Sequence, residues 1–378
     1  MPVNPIYLDH QGSAPLSSGV FEAMKPYFTD SYANPHASQH AAGWDSSDAI
    51  EAARAVIAAQ VNADPDEIIF TSGATEANNI AILGIDQNVE DLRIVTTAIE
   101  HKSILAPLRA RAARGARTVT ISVDAKGVVD LAALRAAVED GAALVSIMAV
   151  NNEIGTRQPI GEIAAICRPR GALLHVDAAQ ALGFRAIDLI ADGADMISLS
   201  SHKAGGPKGI GALVVARESR ARLSPILFGG GQEDGIRPGT LPTPLCVGFG
   251  AACASLPDAL TIAAWRARTD GFAAMLIERV AGATRNGGGE NSHPGCVSLT
   301  LPSGDASAVI ARLQPDLAVS SGSACTSGIP EPSHVLRAIG LSAAAAERTI
   351  RLSLGPTTSD ADIEIAADLI TRAAAARA

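Results

Sequence analysis

From about residue 50 to 215, stretches with helical spacing of apolar positions alternate with short apolar runs that end in glycine or polar residues. The runs are Ile68-Ile69-Phe70, Ile94-Val95-Thr96, Leu144-Val145-Ser146-Ile147-Met148, Leu173-Leu174-His175-Val176, Met196-Ile197-Ser198-Leu199 and Ala212 to Ala216. Runs this short and apolar on both faces predict buried strands, and the helical stretches between them predict βαβ units. A segment rich in glycine and proline, Phe228 to Pro244, interrupts the alternation. Its charged residues mark it as a long functional loop rather than a domain linker. From about residue 255 a long alanine-rich helix is followed by strands mixed with helices. This predicts a large domain over residues 16–255 and a smaller α+β domain formed by residues 1–15 and 256–378. Within the latter, Glu347 to Gly355 alternates like a half-buried strand, with Ile350, Leu352 and Leu354 on one face and Arg351 and Ser353 on the other. Asp360 to Ala378 reads as an amphipathic helix.

Composition narrows this picture. A chain of 378 residues exceeds what one core usually supports, in keeping with two domains. It is 47% apolar and only 3% aromatic, which suits helices packed on a parallel sheet. A net charge of -9 without a long block of either sign argues against nucleic acid as the main ligand and favours a small molecule. No apolar run is long enough to span a bilayer, and Met1-Pro2-Val3-Asn4-Pro5 lacks the pattern of a signal peptide, so no membrane partner and a cytoplasmic location are expected. The five cysteines are odd in number and irregular in spacing, giving neither a disulfide framework nor a zinc pattern, and no metal ligand set is expected. Cys167, Cys246 and Cys253 lie in apolar helical stretches and Cys296 opens a strand-like run, so these four read as small buried hydrophobes. Cys325 differs, because Ser320 to Gly328 is a small, polar segment without core-forming periodicity, which predicts an accessible loop thiol.

Candidate chemistry gathers where apolar runs end. Leu173 to Val176 leads into Asp177-Ala178-Ala179-Gln180, and Met196 to Leu199 into Ser200-Ser201-His202-Lys203. Ligands of open α/β sheets sit beyond the carboxyl ends of such strands. A buried carboxylate can hold a pyridine nitrogen protonated, and a lysine amine can form a Schiff base with an aldehyde, which together is what pyridoxal 5′-phosphate (PLP) needs. Taken singly, Asp177 could be a helix N-cap and Lys203 a solvated loop charge. Ala74 and Thr75, in Thr71-Ser72-Gly73-Ala74-Thr75-Glu76, stand where a strand turns into a helix, whose amides could bind a phosphate; an ordinary capping role for Thr75 is the alternative. Ser200 and His202 could add bonds to that phosphate. His101, just past a strand, can stack on a planar ring or move protons, or be simply structural. Gln180 shares the face of Asp177 if a helix begins there, and its amide could reach a phenolic oxygen. Asn152 could support that oxygen or a substrate carboxylate. Arg351 could clamp a carboxylate at two points or face solvent.

This ordered set resembles the cysteine desulfurases of the class V aminotransferase-like PLP enzymes over almost the whole chain. The motifs named above carry the resemblance with Glu100-His101-Lys102, Asn151-Asn152-Glu153-Ile154-Gly155, Gly229-Gly230-Gly231-Gln232-Glu233, Gly239-Thr240 and Ser321 to Gly328. It implies an aspartate-aminotransferase-like α/β fold (fold type I), with a mostly parallel seven-stranded sheet in the large domain and a smaller α+β domain carrying the catalytic-cysteine loop. It implies a homodimer with sites at the subunit interface, where Thr240 reaches the neighbour's phosphate. The implied activity converts L-cysteine to L-alanine, with Lys203, His101 and Cys325 catalytic and sulfur held as a persulfide on Cys325. A sulfur-acceptor protein such as an iron–sulfur scaffold would receive it; ligation of a cluster by Cys325 is a lesser implication. Asp9-His10-Gln11-Gly12-Ser13-Ala14-Pro15 departs from the family's usual Asp-Asn-Ala-Ala-Thr-Thr-Pro, as do Ala204, Gly205 and Pro238 from its usual residues. Competing readings are a lyase acting on selenocysteine or another sulfur amino acid, a non-catalytic member of a sulfur-transfer assembly, and an ordinary aminotransferase, which gives Cys325 no role.

Overall fold

The computed structural model describes residues 5–85, 92–184, 188, 191–321 and 332–376. After β1 (Ile6–Tyr7), the strands β2 (Ile68–Thr71), β3 (Arg93–Thr97), β4 (Arg117–Ile121), β5 (Leu144–Met148), β6 (Leu173–Asp177), β7 (Met196–Ser200) and β8 (Gly211–Val215) follow. The last seven form one sheet in the order β2-β8-β7-β6-β5-β3-β4. Its neighbours are parallel except around β8, which runs antiparallel to β2 and β7. β4 is absent from the apolar runs because it is an edge strand whose residues are largely exposed. The other strands are buried almost throughout because helices cover both faces of the sheet. Ile57, Leu134, Ile163 and Phe249, from four helices, pack on one face, while Ile80 and Ile104, from two others, pack on the opposite face.

From β3 the chain steps outward to β4 and then returns to β5 on the other side of β3. The loops leaving β3 and β5 therefore diverge, and the crevice between them is where such sheets bind ligands.

A second sheet, β12-β13-β10-β9, combines β9 (Thr284–Asn286), β10 (Cys296–Thr300), β12 (Ser320–Ser321) and β13 (Thr349–Ser353), paired antiparallel. Helices Ala259–Arg279 and Asp360–Ala375 pack on it around Phe272, Leu299, Leu352 and Ile370. β11 (Leu317–Ala318) pairs in parallel with β1, and an Asp9–Ser353 bridge adds the next residues to this unit. The expected half-buried strand at 347–355 is β13, and it is buried on both faces. Its Arg351 and Ser353 are not turned to solvent. Cys167, Cys246, Cys253 and Cys296 are free and buried; burial pushes the first three thiols up to about 12 and Cys296 to about 11, so they stay protonated.

Candidate active site

The carboxyl ends of β2, β3, β5, β6 and β7 open on a cavity of about 620 Å³. Its wall holds Ala74 and Thr75 after β2, His101 after β3, Asn152 after β5, and Asp177 and Gln180 at β6. Ser200, His202 and Lys203 follow β7, and Arg351 reaches in from β13. Thr240 is exposed on its loop and is not part of this wall, and Cys325 lies outside the described residues.

Lys203 ends a short 3-10 turn, Ser201–Lys203, and its Nζ donates to the carbonyls of Gln11 and Gly12. The atypical segment after Asp9 thus meets the lysine with backbone atoms. A Cβ on Gly12 would lie 2.3 Å from Asp9 Oδ2, so a larger residue there would have to displace the Asp9 carboxylate.

Asp177, the last residue of β6, is 6% exposed. Its Oδ1 accepts from Ala179 N at 3.0 Å and its Oδ2 from Asn78 Nδ2 at 2.8 Å. Two residues back, His175 lies between Ser146 Oγ and Ser198 Oγ, each at 2.9 Å, and its complete burial pushes its pKa down to about 4. Among the described residues no helix begins at Asp177. The carboxylate takes the Ala179 amide, turns continue to Gly183 at φ +107°, and Gln180 reaches the cavity from a turn, its Nε2 donating to Gln11 O at 3.0 Å.

His101 caps the helix Lys102–Ala112: Nδ1 accepts from Ser103 N at 3.1 Å and lies 2.8 Å from Ser103 Oγ. Burial lowers its pKa, the Asp177 charge opposes that, and the Lys203 charge adds to it, so the ring is neutral at neutral pH. His202 sits 3.1 Å from Ser13 Oγ, and burial together with the charges of Lys203 and Lys208 pushes it down to about 4.

The helix Ala74–Leu83 begins at Gly73, which has φ +149° and provides no side-chain cap, so Thr75 lies inside the first turn and is not the cap. The first amides of this helix take no acceptor from a cap residue, which suits an anion. β8 starts directly against the turn: a Cβ on Gly211 would stand 2.7 Å from Gly73 Cα.

Arg351 is 5% exposed; Nη1 donates to Asn152 O at 2.8 Å and Nη2 to Asp9 Oδ1 at 2.7 Å. The guanidinium is thereby held in a fixed orientation in the cavity wall. The Gly/Pro loop is fastened to the same neighbourhood, since Arg237 Nε meets Glu76 Oε1 at 2.9 Å and Glu233 Oε1 meets Arg54 Nη2 at 2.8 Å. Tyr7, Asp9, Gln11, Ser103 and Ser320 also line the cavity, and Asn78 supports it from behind. Of these, Asn78 had a signal in the sequence, being four residues after Ala74 and so on the same helix face. Among the described residues no group of three or more His, Cys, Asp or Glu is placed to hold a metal ion.

The sequence matches the class-V aminotransferase family over residues 6–365. It is 44% identical over 371 residues to the mitochondrial cysteine desulfurase of Drosophila melanogaster, covering 96% of this chain and 79% of that protein. It is 42% identical over 370 residues to the cysteine desulfurase IscS of Rickettsia felis, covering 97% and 90%. Among solved structures, a NifS-like protein superposes with a TM-score of 0.90 at 30% identity, covering 97% of this chain and 98% of that one. SspA in complex with cysteine superposes at 0.83 with 37% identity, covering 93% and 99%. With its match spanning both sheets and every wall of the cavity, the chain belongs to the class-V aminotransferase family, in the branch of the cysteine desulfurases.

Proposed function

We propose that this chain is a PLP-dependent cysteine desulfurase. It converts L-cysteine to L-alanine and carries the sulfur as a persulfide on Cys325 to a sulfur-acceptor protein such as an iron–sulfur scaffold. The observation that carries the reading is the meeting of the Lys203 amine, the Asp177 carboxylate, His101 and an uncapped helix start around one cavity. The complex of the similar protein SspA with cysteine supports the substrate.

The residues fit PLP. Ala74 and Thr75 amides, the Thr75 and Ser200 hydroxyls and His202 would hold the phosphate, and neutral His202 can donate without adding charge. Lys203 would anchor the aldehyde, Gln180 would donate to the phenolic oxygen, and His101 would stack on the ring. When bound, PLP supplies a sink for the electron pair left at the substrate Cα. Asp177 would keep a proton on the pyridine nitrogen, which its two hydrogen bonds help it do by holding the carboxylate in place. Lys203, once released by the incoming amine, would move the Cα proton. Arg351 and Asn152 would orient the substrate carboxylate. The Cys325 thiolate would attack the substrate sulfur; the C–S pair stays with carbon, which then takes a proton to become alanine, so no external oxidant is needed.

A homodimer accompanies this reading. Phe21 (50%), Phe28 (57%), Tyr32 (79%), Trp44 (54%) and Phe228 (87%) are exposed, a large apolar area for water to meet. The exposure of Thr240, away from the cavity of its own chain, supports its serving the phosphate of a partner subunit.

The test is incubation of the purified protein with L-cysteine and a reductant, with sulfide and alanine measured beside Cys325→Ala and Lys203→Ala. Equal release of both products, lost in both variants, is expected. Sulfide release that survives Cys325→Ala would refute the persulfide role; cofactor binding without any product would refute the substrate.

A further inference from the structure

Four polar groups form a hydrogen-bonded chain behind the cavity. Asn78 Nδ2 donates to Asp177 Oδ2 at 2.8 Å and to Ser103 Oγ at 2.8 Å, and Ser103 Oγ lies 2.8 Å from His101 Nδ1. Asn78 is fully buried, and Ser103 and Asp177 nearly so. Proton count gives the chain a direction. An amide nitrogen carries two protons and accepts nothing, so both protons of Asn78 are committed, one to the carboxylate and one to the hydroxyl. Ser103 Oγ, already accepting, turns its single proton to His101 Nδ1, where the Ser103 amide also donates at 3.1 Å. The Asn78 amide cannot be turned round, because its oxygen would then face the carboxylate oxygen of Asp177. In the orientation it takes, Asn78 Oδ1 is buried without a partner, a cost that the bond to Asp177 outweighs.

We propose that Asn78 and Ser103 are positioning residues that, anchored on Asp177, hold the Ser103 hydroxyl as a donor to His101 Nδ1 and fix the ring with its proton on Nε2. The consequence refines the role of His101, and it rests on the desulfurase reading only in placing that ring against the cofactor. With Nδ1 occupied by two donors and Nε2 carrying hydrogen, His101 presents a donor to the cavity and has no free lone pair with which to act as a base. The groups that otherwise bear on the ring are Asp177, Lys203, His334 and Lys102, all retained in the Ser103 variants, while Asn78→Ala also takes one hydrogen bond from Asp177.

The test is 15N NMR of histidine-labelled protein, cofactor-loaded and cofactor-free, with His101→Gln to assign the resonance. At neutral pH the His101 Nδ1 shift is expected to be pyridine-like and Nε2 pyrrole-like. Removing a donor from Nδ1 makes that nitrogen easier to protonate. Ser103→Ala should therefore raise the His101 titration midpoint by roughly half a unit to one unit, and Asn78→Ala, which only frees the Ser103 hydroxyl to turn from Nδ1, should raise it in the same direction by less. The double variant should move it no further than the larger single shift, as links in series require. Ser103→Thr, which keeps the hydroxyl, should restore it. A proton on Nδ1 in the unaltered protein, or an unmoved midpoint in a Ser103→Ala protein with native circular dichroism, would overturn the proposal. Because the ring titration is read without turnover, a protein that passes it yet releases no sulfide would refute the desulfurase reading and leave the relay standing.

Discussion

Replacing Glu233 should loosen the long Gly/Pro loop and the strand beneath it together. Its carboxylate side chain is 3% exposed and grips Arg54 at two points, 2.8 Å and 3.0 Å, while Oε2 also accepts from Phe70 N at 2.6 Å. Removing one partner of a buried pair usually costs about 3–5 kcal/mol. Arg54 would keep Ile68 O at 2.7 Å, Glu51 at 3.1 Å and the Phe70 ring at 4.8 Å, so the lower end, about 3 kcal/mol, is expected for that part. The stranded Phe70 amide adds roughly 1 kcal/mol. Glu233→Ala should therefore lose about 4 kcal/mol, and Glu233→Gln, which can still accept from Phe70, roughly half of that. Glu233 also stands at φ +49°, so Glu233→Gly should cost about 1 kcal/mol less than Glu233→Ala. Urea unfolding of the cofactor-loaded protein, followed by circular dichroism and by cofactor absorbance, measures this. Phe70 is the last strand residue but one before the Ser72–Thr75 turn, so weaker cofactor retention should accompany the loss. A cost below about 1 kcal/mol for Glu233→Ala, or full additivity with Arg54→Ala, would refute the picture of a buried, coupled pair.

Other outcomes follow from the same geometry. His175 is held near 4 in the folded protein against an ordinary 6.5, so between those values the unfolded chain binds more protons and stability falls as pH falls. From pH 7 to 5 this amounts to roughly 2 kcal/mol, and His175→Asn should flatten the dependence of the urea midpoint over that range; an unchanged slope would refute it. Arg351→Lys loses the two-point geometry and should raise KM for L-cysteine roughly tenfold or more with a smaller effect on kcat, an unchanged KM being the refuting result. Gly211→Ala would drive a methyl into Gly73 and the Leu199 carbonyl, so it should displace the helix start and weaken PLP binding, measured by absorbance titration; retained affinity would speak against the phosphate site at Ala74 and Thr75.

Much of this arrangement was legible in the residues because burial on both faces keeps the strands mostly apolar, so that the polar residues clustered where they end stand out. Asp177 and the Ser200–Lys203 motif stood out for that reason. The exceptions have physical causes. Gln180 looked helical by spacing, but Asp177 captures the Ala179 amide and Gly183 bends the chain away. Arg351 looked like the wet side of a strand, yet β13 is covered on both faces and the arginine is answered by Asp9, whose place in the chain is 342 residues earlier. Asn78 and Glu233 belong to a class that sequence reading discounts, polar residues on a helix or in a loop, where solvent is the ordinary partner. Only the fold reveals that their partners are Asp177 and Arg54. The role of Cys325 rests on its sequence setting and on family membership, since it lies outside the described residues.

The pairing of β1 with β11, and of Asp9 with Ser353 and Arg351, sets the order in which the protein can be made. The residues that receive the Lys203 amine leave the ribosome well before Lys203 itself, and the strands that hold those residues leave later still. On a growing chain the seven-stranded sheet can form once residue 215 has emerged, while Ile6, Tyr7 and Asp9 still lack their partners in β11 and β13. Contacts of such long sequence separation form slowly, and an unpaired strand is a template for the wrong neighbour. Completion of the cavity therefore waits until β13 has emerged, and a ribosome stalled before β13 carries a folded sheet with an unfinished site.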